Sequence, residues 1–256
     1  MGQRLAIVTG AAGDIGRAIA QRLGQDHDLV VLADRDIEAA TRAQSALGTG
    51  YLAMVVDVTL PESCAALASQ VATLGKVATL VNNAGAAWGA SLHQTTPESW
   101  ARDRALNFDG NFLMFHAFAD LLVAAKGSVV NIASVNGFGV YGHPAYSAAK
   151  AGMLHLTRAI AVEYGRHGVR ANAVAPGTVR TQAWEARAAL NPNVFKDAAE
   201  HYPLGRIVLP EDVANAVGFL ASPLAAAITG ICLPVDCGLT AGIPALARTF
   251  SQTEDY

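Results

Sequence analysis

The sequence predicts one doubly wound α/β domain, with a parallel sheet of about seven strands and helices on both faces. Three observations lead to this fold class. Short apolar segments alternate with helix-length segments along all 256 residues. Segments such as LVVLA and GSVVNIA are mainly apolar along their length, as are strands buried on both faces of a parallel sheet. No Pro- or Ser-rich linker divides the chain, so residues 1–256 are expected to form a single domain.

Each element follows from the length of its apolar segment and from the Gly, Pro and polar residues that bound it. The first strand, 4–9, runs through a Gly/Ala turn into the first helix, 15–25, and this unit repeats along the chain. The other strands are predicted at 28–33, 51–56, 77–82, 127–133, 169–175 and 231–235. The other helices are predicted at 36–47, 61–74, 97–125, 145–166 and 210–221.

Residues 178–205 interrupt this alternation. They are polar and contain three aromatic residues, Trp184, Phe195 and Tyr202. A segment of this length between regular elements usually has a function, such as closing over a bound ligand. We therefore predict that 178–205 is a lid that covers the substrate.

The composition indicates a folded chain that does not bind nucleic acid. Hydrophobic residues make up 52% of the chain and charged residues 15%, and the formal net charge is -3. Disordered chains have the opposite balance, and nucleic-acid-binding domains usually carry a basic surface. The cysteines Cys64, Cys232 and Cys237 form no CxxC pattern, which is typical of free thiols in a reducing compartment. The N-terminal segment becomes polar at Thr9, too early for a signal peptide, so we expect a cytoplasmic protein.

Neither a membrane nor a metal is expected as a partner. Residues 213–235 carry no charge, but Gly, Pro and polar residues interrupt them, so a buried helix, a turn and a buried strand are predicted there. The seven histidines form no HExxH pattern and no Cys/His cluster, so no catalytic metal is predicted.

The segment LAIVTGAAGDIGRAIA at 5–20 predicts a dinucleotide-binding turn. A turn that is almost free of side chains follows the first strand and opens the first helix, so backbone N–H groups at the helix N-terminus can hold a diphosphate. The residues assigned to this part of the cofactor site are Gly10, Gly13, Asp14, Ile15 and Gly16.

Asp14 occupies a position where a related fingerprint, G-x-x-x-G-x-G, would have glycine. Two accounts keep the turn functional. Aspartate tolerates the left-handed conformation better than most residues and so can preserve the backbone shape of glycine. Alternatively, Asp14 caps the helix by accepting hydrogen bonds from amides two or three residues on. We favour the cap, with the diphosphate held by amides such as that of Ile15 and with Arg17 screening the carboxylate.

An acidic residue, Asp34, closes the second strand about 20 residues after the turn. Its carboxylate can accept hydrogen bonds from the ribose hydroxyls of NAD and would repel the 2′-phosphate of NADP. Like charges about 4 Å apart cost on the order of 4 kcal/mol at an effective dielectric near 20. Arg35 could pair with that phosphate and soften the preference. Asp34 is the determinant that we favour, so NAD is the predicted cofactor.

Five further motifs follow the turn in order. They are VNNAG at 81–85, LNFDGNF at 106–112, VNIASVNG at 130–137, YSAAK at 146–150 and PGTVRT at 176–181. With TGAAGDIG, this ordered set closely resembles the classical short-chain dehydrogenase/reductase family over roughly residues 4–242. The resemblance implies a Rossmann-type domain that oxidises an alcohol with NAD(P), or catalyses the reverse reduction.

The resemblance also implies roles for the matching positions. The catalytic residues are Ser134, Tyr146, Lys150 and the supporting Asn107. Tyr146 and Lys150 are also expected to contact the cofactor. The remaining cofactor contacts are Asn83, Ala84 and Gly85 after the fourth strand, Asp57 and Val58 at the adenine, and Pro176, Gly177, Val179 and Thr181 on the nicotinamide side.

Elementary chemistry supports the catalytic assignment independently. Alcohol oxidation needs a base for the hydroxyl proton, and free tyrosine has a pKa near 10. Tyr146 and Lys150 lie four residues apart, hence on one face of a helix. A positive charge at about 4 Å is worth up to roughly 4 kcal/mol, which would lower the pKa of Tyr146 to about 7. Ser134 can hydrogen-bond the substrate oxygen, and Asn107 can brace a helix carbonyl and hold a water that links Lys150 to solvent.

The substrate contacts follow from position. They are Ser134, Asn136, His143, Trp184 and Glu185. The segments PGTVRTQAWEARAALNP and ITGICLPVDCGLTAG resemble most those of family members that act on sugars and other polyhydroxylated substrates. Where the family usually has Asp-Gly-Gly, this chain has Asp236-Cys237-Gly238, so the geometry of that loop is expected to differ.

We therefore predict an NAD-dependent dehydrogenase for a secondary alcohol or cyclic hemiacetal, with a sugar or polyol as substrate. The alternative enzyme is a ketone reductase for hydroxysteroid-like, cyclic or 3-oxoacyl substrates. The alternative from another class is a non-catalytic NAD sensor, which the presence of both Tyr146 and Lys150 disfavours. The apolar faces of 97–125 and 145–166, and the usual assembly of the family, predict a homotetramer or homodimer.

Overall fold

The architecture was determined from a computed structural model that describes residues 2–189 and 191–255. Met1, Leu190 and Tyr256 lie outside the described residues. All three belong to the predicted domain 1–256, and Leu190 also belongs to the predicted lid. Seven parallel strands form one sheet in the order β3-β2-β1-β4-β5-β6-β7. The strands are β1 (Arg4–Thr9), β2 (Leu29–Asp34), β3 (Tyr51–Val55), β4 (Lys76–Asn82), β5 (Ser128–Ile132), β6 (Arg170–Pro176) and β7 (Cys232–Val235).

Ten α-helices occur in the described part of the chain. They are α1 (Asp14–Leu23), α2 (Ile37–Leu47), α3 (Pro61–Ala72), α4 (Pro97–Arg104), α5 (Gly110–Ala125), α6 (Pro144–Tyr164), α7 (Gln182–Ala188), α8 (Val194–Ala199), α9 (Pro210–Ala221) and α10 (Pro244–Ser251). Five of them begin with proline, whose fixed φ suits the first helical turn and whose missing N–H would have no partner there. The predicted doubly wound α/β fold is confirmed.

Two apolar layers cover the sheet. One face packs against α3, α5 and α6, with Phe118 and Leu122 of α5 fully buried. The other face packs against α1 and α9 through residues such as Ile19 and Leu220. Because strands between two helical layers touch apolar side chains on both faces, their sequences show no polar alternation. The sheet thereby holds all its carboxyl ends at one edge, where doubly wound proteins bind ligands.

The structure differs from the sequence-based prediction in three elements. The helix predicted at 97–125 is divided by a π-helical turn at Ala105–Asp109. The lid predicted at 178–205 contains the short helices α7 and α8, and α10 was not predicted. Each of these three helices is at most eight residues long, too short to show a clear 3.6-residue period.

One helical span among the described residues, Pro97–Ala125, is long and apolar enough to cross a membrane by length and composition. Its inner side contributes Met114, Phe118 and Leu122 to the core beside β4. The stretch 213–235, considered for the same reason, forms most of α9, a 3₁₀ turn and β7, as the predicted order of helix, turn and strand requires. The predicted burial of the strand is wrong, because β7 is an edge strand and is only half-buried.

Candidate active site

The turn between β1 and α1 presents backbone donors at the carboxyl edge of the sheet. Gly10 has a left-handed φ of +62°, and a Cβ there would lie 2.9 Å from the Cα of Ala84. A Cβ at Gly16 would collide with the carbonyl oxygen of Gly10. In the described part of the chain, the N–H groups of the first helical residues, Asp14, Ile15 and Gly16, have no hydrogen-bond partner. Such a bare, electropositive helix end fits the diphosphate of a dinucleotide.

A polar clamp joins this turn to the end of β4. The side-chain amide of Asn83 donates to the carbonyl oxygens of Thr9 (2.9 Å) and Gly10 (3.1 Å). The hydroxyl of Thr9 accepts the N–H groups of Asn83 (2.9 Å) and Ala84 (3.0 Å). The clamp fixes the glycine turn against the stretch 83–85. Thr9 was not among the predicted site residues, although a polar residue that ends a buried strand is a usable signal.

Asp34 is bonded to the glycine turn itself. One carboxylate oxygen accepts the N–H of Ala12 at 3.0 Å, and the other accepts the N–H of Asp36 at 3.1 Å. These bonds hold a negative charge beside the turn, at the end of β2. Arg35 is exposed, and its guanidinium takes part in none of the ion pairs among the described residues.

Asp14 does not cap α1, so the favoured prediction for this residue is wrong. The N-cap is Gly13, and Asp14 is the first helical residue, with no left-handed backbone either. Its carboxylate accepts the N–H of Gln182, the first residue of α7, at 2.7 Å and pairs with Arg17 at 3.0 Å. Gly13 occupies the cap position, and the Asp14 carboxylate is directed to the start of α7 instead of to the N–H groups of its own helix. The predicted screening by Arg17 is confirmed.

Asp14 thus connects the cofactor turn to the predicted lid. It lines a cavity of about 350 Å³ between α1, α7 and the start of α9. Within the lid, Arg180 pairs with Glu185 at 2.6 Å and stacks on Phe195, with its guanidinium carbon 4.9 Å from the ring centroid. Contact of Asp14 with the cofactor stays a prediction.

The other predicted cofactor residues also lie at the carboxyl edge of the sheet. The carboxylate of Asp57 accepts the N–H and hydroxyl of Thr59 at 2.9 and 2.6 Å, which fixes the loop after β3, and Val58 is buried next to it. Pro176 ends β6, and Val179 pairs with Val208 in a parallel bridge.

Tyr202 supports the segment after β6 and was missed by sequence reasoning as a site residue. Its phenol oxygen accepts the N–H of Thr178 at 2.8 Å. A Cβ at Gly177 would lie 2.9 Å from the Tyr202 ring, so glycine is required for this close approach. Thr181 immediately precedes α7. The segment 178–205 is therefore held near both of its ends, by the bond from Thr178 to Tyr202 and by the bond from the N–H of Leu204 to the carbonyl of Cys237 at 3.1 Å.

Ser134 and Asn136 form a bonded pair at the end of β5. Ser134 caps a 3₁₀ turn by accepting the N–H of Asn136, and its hydroxyl donates to the Asn136 side chain, both at 3.2 Å. The Asn136 amide donates to the carbonyl of Gly142 at 2.9 Å and to the hydroxyl of Ser147 at 3.0 Å. These bonds make Asn136 a brace for Ser134. Its predicted substrate contact stays a prediction.

Tyr146 and Lys150 lie on one face of α6, as their spacing predicts, with the Lys150 ammonium 5.5 Å from the Tyr146 ring centroid. Lys150 is only 3% exposed and donates to the carbonyl of Ile132 at 2.6 Å. Burial lowers the pKa of Lys150 from 10.5 to about 7. Burial raises the pKa of Tyr146, with an opposing effect from the Ser134 hydroxyl and a further raising effect from Asp103. The expectation that Lys150 lowers the pKa of Tyr146 to about 7 is therefore wrong for the ligand-free protein.

The lysine and tyrosine still provide a titrating unit near neutrality. A neutral phenol beside a neutral amine holds the same number of protons as a phenolate beside an ammonium. The low pKa of Lys150 means that the pair loses one proton as the pH rises through about 7. A positive charge placed next to the phenol would then favour the ion-pair form.

Asn107 lies in the π-helical turn, which directs its fully buried side chain toward the loop after β4. Its amide nitrogen donates to the carbonyl oxygens of Ala86 (2.7 Å) and Asp103 (2.9 Å), and its oxygen accepts the N–H of Ala86 (3.2 Å). The predicted bracing of a helix carbonyl is confirmed by the bond to Asp103. The carbonyl of Asn107 accepts the side-chain amide of Asn111 at 2.8 Å. A Cβ at Gly85 would approach Asn107 Oδ1 to 2.8 Å and Lys150 Nζ to 3.5 Å, so these residues converge.

The predicted substrate residues outside this group lie around it. His143 is the N-cap of α6 with a left-handed φ of 52°, and its Nδ1 lies 3.0 Å from the carbonyl of Gly89. Trp184 is half-buried and Glu185 is exposed on α7. Their contact with substrate stays a prediction. Among the described residues, no cluster of three or more His, Cys, Asp or Glu residues could hold a metal ion.

The loop at 236–238 adopts left-handed backbone despite its cysteine. Cys237 has a φ of 51° and Gly238 a φ of 90°. The Asp236 carboxylate accepts the N–H of Gly238 at 3.0 Å and the N–H and hydroxyl of Thr240 at 2.8 and 2.6 Å. These bonds hold the loop in a conformation that a cysteine adopts only at some cost.

Comparisons with known proteins agree with this geometry. A family model described as enoyl-(acyl carrier protein) reductase matches residues 10–240. Cis-4-hydroxycyclohexanecarboxylate dehydrogenase of Sinomonas cyclohexanicum is 40% identical, over 93% of this chain and 97% of its own length. Galactitol 2-dehydrogenase (L-tagatose-forming) of Cereibacter sphaeroides is 36% identical, over 92% and 94%. A crystal structure of an oxidoreductase from Burkholderia thailandensis is 42% identical over all of both chains, with a TM-score of 0.94.

Proposed function

Because the chain belongs to the classical short-chain dehydrogenase/reductase family, we propose that it oxidises a secondary alcohol or cyclic hemiacetal carbon of a sugar or polyol, with NAD as the hydride acceptor. The observation that carries this proposal is the convergence of Ser134, Tyr146, Lys150 and Asn107 at the carboxyl edge of the sheet, beside the bare helix end of α1. Relatives named as dehydrogenases of alcohols and polyols support the reaction class.

The position of Asp34 supports NAD rather than NADP. Its carboxylate is bonded to the N–H of Ala12 in the cofactor turn, so its negative charge is held at the end of β2. A 2′-phosphate placed there would face this charge, at a cost on the order of 4 kcal/mol for like charges about 4 Å apart. Tenfold selectivity requires only about 1.4 kcal/mol.

The catalytic residues can perform the proton chemistry of alcohol oxidation. Ser134 donates a hydrogen bond to the substrate oxygen after its hydroxyl turns away from Asn136. Tyr146 as phenolate accepts the hydroxyl proton, and the hydride leaves the same carbon as the carbonyl forms. A bound NAD supplies the acceptor for that hydride. Lys150 stabilises the phenolate electrostatically and is itself held by the carbonyl of Ile132 at 2.6 Å. Asn107 keeps the loop after β4 in place through both hydrogen bonds to Ala86.

The substrate class rests on the relatives and on the lid. Galactitol 2-dehydrogenase is a polyol enzyme by name, and polar lid residues such as Gln182 and Glu185 suit a hydroxylated substrate. A cyclic secondary alcohol is the second candidate, because a relative at 40% identity is named for hydroxycyclohexanecarboxylate. The alternative is the reverse reaction, reduction, and the description of the matching family model favours an acyl compound as the substrate for it.

One assay separates these candidates. The purified protein is incubated with sugars, polyols, cyclic alcohols, hydroxysteroids and 3-oxoacyl thioesters, each with both oxidised or both reduced cofactors, and NAD(P)H absorbance is followed. We expect oxidation of a sugar or polyol with NAD, at least tenfold above NADP in kcat/KM. Turnover of ketones or acyl thioesters alone, with NADPH, would contradict the proposal. Cofactor binding without any turnover would indicate the sensor alternative.

We also propose that the enzyme is a homotetramer or homodimer that associates through the outer faces of α5 and α6. Val162 on α6 is 81% exposed and Phe112 on α5 is 49% exposed, which is unusual for large apolar residues on two adjacent long helices. Light scattering after size-exclusion chromatography should give a particle mass of two or four chains. Val162→Arg should lower this particle mass, because a charge would be buried at the interface. A monomeric wild-type protein would contradict this.

A further inference from the structure

Asp103, on the last turn of α4, is a buried charge to which neither the sequence motifs nor the proposed chemistry assigns a role. Its side chain is 1% exposed. A carboxylate so far from water is costly unless polar groups surround it. Burial raises its pKa, while the backbone N–H groups of Trp88 and Gly89 and the charges of Arg102 and His143 favour its ionised form. Asp103 therefore faces groups from three separate segments.

Those groups belong to the edge of the active site. Asn107 lies one helical turn after Asp103, and its amide nitrogen is 2.9 Å from the Asp103 carbonyl oxygen and 3.5 Å from carboxylate Oδ1. The same amide holds Ala86 by two hydrogen bonds. Asp103 and Asn107 thus act on the same piece of chain from one helical face.

We name residues 86–90, which follow the cofactor-lining stretch 83–85, the β4 strap. His143 holds the strap from the other side, through Nδ1 to the carbonyl of Gly89 at 3.0 Å and through its N–H to the carbonyl of Ala90 at 3.3 Å. The guanidinium of Arg102 lies 4.1 Å from the centroid of the Trp88 ring. The strap is therefore fixed between α4 and the N-terminus of α6, three residues before Tyr146.

We propose that Asp103 is a positioning residue that fixes the β4 strap beside the catalytic tyrosine and sets the substrate-side wall and the charge next to Tyr146. The carboxylate interacts with two sets of donors whose hydrogen bonds a neutral apolar side chain could not accept. One is the pair of N–H groups of Trp88 and Gly89 in the strap, and the other is the Asn107 amide nitrogen, 3.5 Å from Oδ1. Asp103 acts on both sides, because the N–H groups of Trp88 and Gly89 in the strap favour its ionised form and its charge raises the pKa of Tyr146.

The charge has a definite effect on the base. A negative charge beside a phenol disfavours the phenolate, so Asp103 raises the pKa of Tyr146. The charged or titratable groups that face Asp103 are Arg102 on its own helix and His143 and Tyr146 on α6. Neutralising Asp103 should therefore lower the pH at which the catalytic pair loses its proton.

The test compares Asp103→Asn with Asp109→Asn, which removes an exposed carboxylate from the same helical span. Hydrogen exchange of the peptide that contains the β4 strap should be at least about tenfold faster in Asp103→Asn and unchanged in Asp109→Asn. Ultraviolet titration of the phenolate, with Tyr146→Phe as the blank, should give a midpoint lower by about half a pH unit or more in Asp103→Asn. The assignment of a substrate-side wall rests on the proposed function. Neither measurement requires a substrate, so both still test the role of Asp103 if the proposed function is wrong.

Where a substrate is turned over, Asp103→Asn should raise its KM several-fold and shift the pH–rate midpoint downward, with NADH affinity unchanged. Asp103→Glu keeps the charge but displaces it by one methylene, so strap exchange should increase while the midpoint stays near that of the wild type. If Asp103→Asn does not fold, the strap exchange is measured in Asp103→Glu instead. Wild-type strap exchange together with a wild-type phenolate midpoint in Asp103→Asn would overturn the proposal.

Discussion

The chemistry of this protein depends on individual side chains whose partners are unusual for their type. Lys150 is buried against a backbone carbonyl, with a pKa of about 7, and Tyr146 has a raised pKa beside it. Each group alone would be a poor catalyst at neutral pH. Together they lose one proton near neutrality and can place the remaining charge on either member.

Tyr146→Phe should reduce turnover by about 10²–10⁴-fold, because the substrate hydroxyl loses its proton acceptor. Ser134 and Lys150 keep their positions, so the affinity for NADH, measured by fluorescence titration, should stay within about threefold of the wild-type value. Tyr164→Phe, which removes a phenol hydroxyl at the far end of α6, is the control. Retained turnover in Tyr146→Phe would assign the base to another residue.

Asp34→Ala should abolish the preference between the two cofactors. The ratio of NAD to NADP affinity should fall at least tenfold, because the charge that repels a 2′-phosphate is removed. The ratio is the correct measure, since loss of the bond to Ala12 weakens the turn for both cofactors. Glu38→Gln, an exposed acid on α2, should leave the ratio unchanged, and an unaltered ratio in Asp34→Ala would exclude Asp34 as the determinant.

At the scale of elements, α1 and α7 are joined end to end by one carboxylate. Asp14 accepts the first N–H of α7 and is itself the first residue of α1. Its negative charge therefore stabilises the electropositive N-termini of two helices. The glycine spacing of the turn predicts a cofactor site but could not show this role of Asp14, because Gln182 lies 168 residues away in sequence.

Asp14→Gly should release α7 while leaving the cofactor turn intact. Loss of a charge-assisted hydrogen bond costs roughly 1–2 kcal/mol, so proteolysis within 178–205 should become about fivefold faster or more. NAD binding should be similar or tighter, since a negative charge near the diphosphate disappears. Asp26→Gly, which removes an exposed acid paired with Arg22, is the matched control. Collapse of NAD binding would show instead that Asp14 touches the cofactor.

The elements themselves were predictable to different degrees. Each of the seven strands is a mainly apolar segment, and every predicted strand overlaps an observed one. The π-helical turn at Ala105–Asp109 was not predictable, because an apolar pattern with one extra residue per turn looks like a continuous helix. That turn matters, since it aims the Asn107 side chain at Ala86.

For the whole molecule, the buried Lys150 links stability to pH. Its pKa is about 7 in the folded state, against 10.5 for a free lysine. Between these values the unfolded chain holds a proton that the folded protein does not, so the free energy of unfolding rises with pH. The destabilisation is at most about 5 kcal/mol. It is greatest below pH 7, where the folded protein buries the charged ammonium, and it disappears as the pH approaches 10.5.

Lys150→Met should remove this dependence. In denaturant titrations of the cofactor-free protein, the wild type should gain free energy of unfolding relative to the variant as the pH rises from about 7 to 10, so that the advantage of the variant shrinks and then reverses. At pH 7 the variant should be more stable by on the order of 2 kcal/mol, since the carbonyl of Ile132 loses its partner but no charge is buried. A difference that does not change with pH would show that Lys150 is not neutralised by burial.

The sequence by itself determined the fold class and the parallel sheet, and its motifs predict which residues are catalytic and which contact the cofactor. These properties reside in local patterns: apolar segments, glycine turns and motif order. Only the tertiary structure decided that Asp14 holds the lid, that Asn136 braces Ser134 and that Asp103 faces the β4 strap and Tyr146. The physical reason is that a carboxylate or amide acts through whichever donor lies within about 3 Å, and folding alone brings distant donors that close.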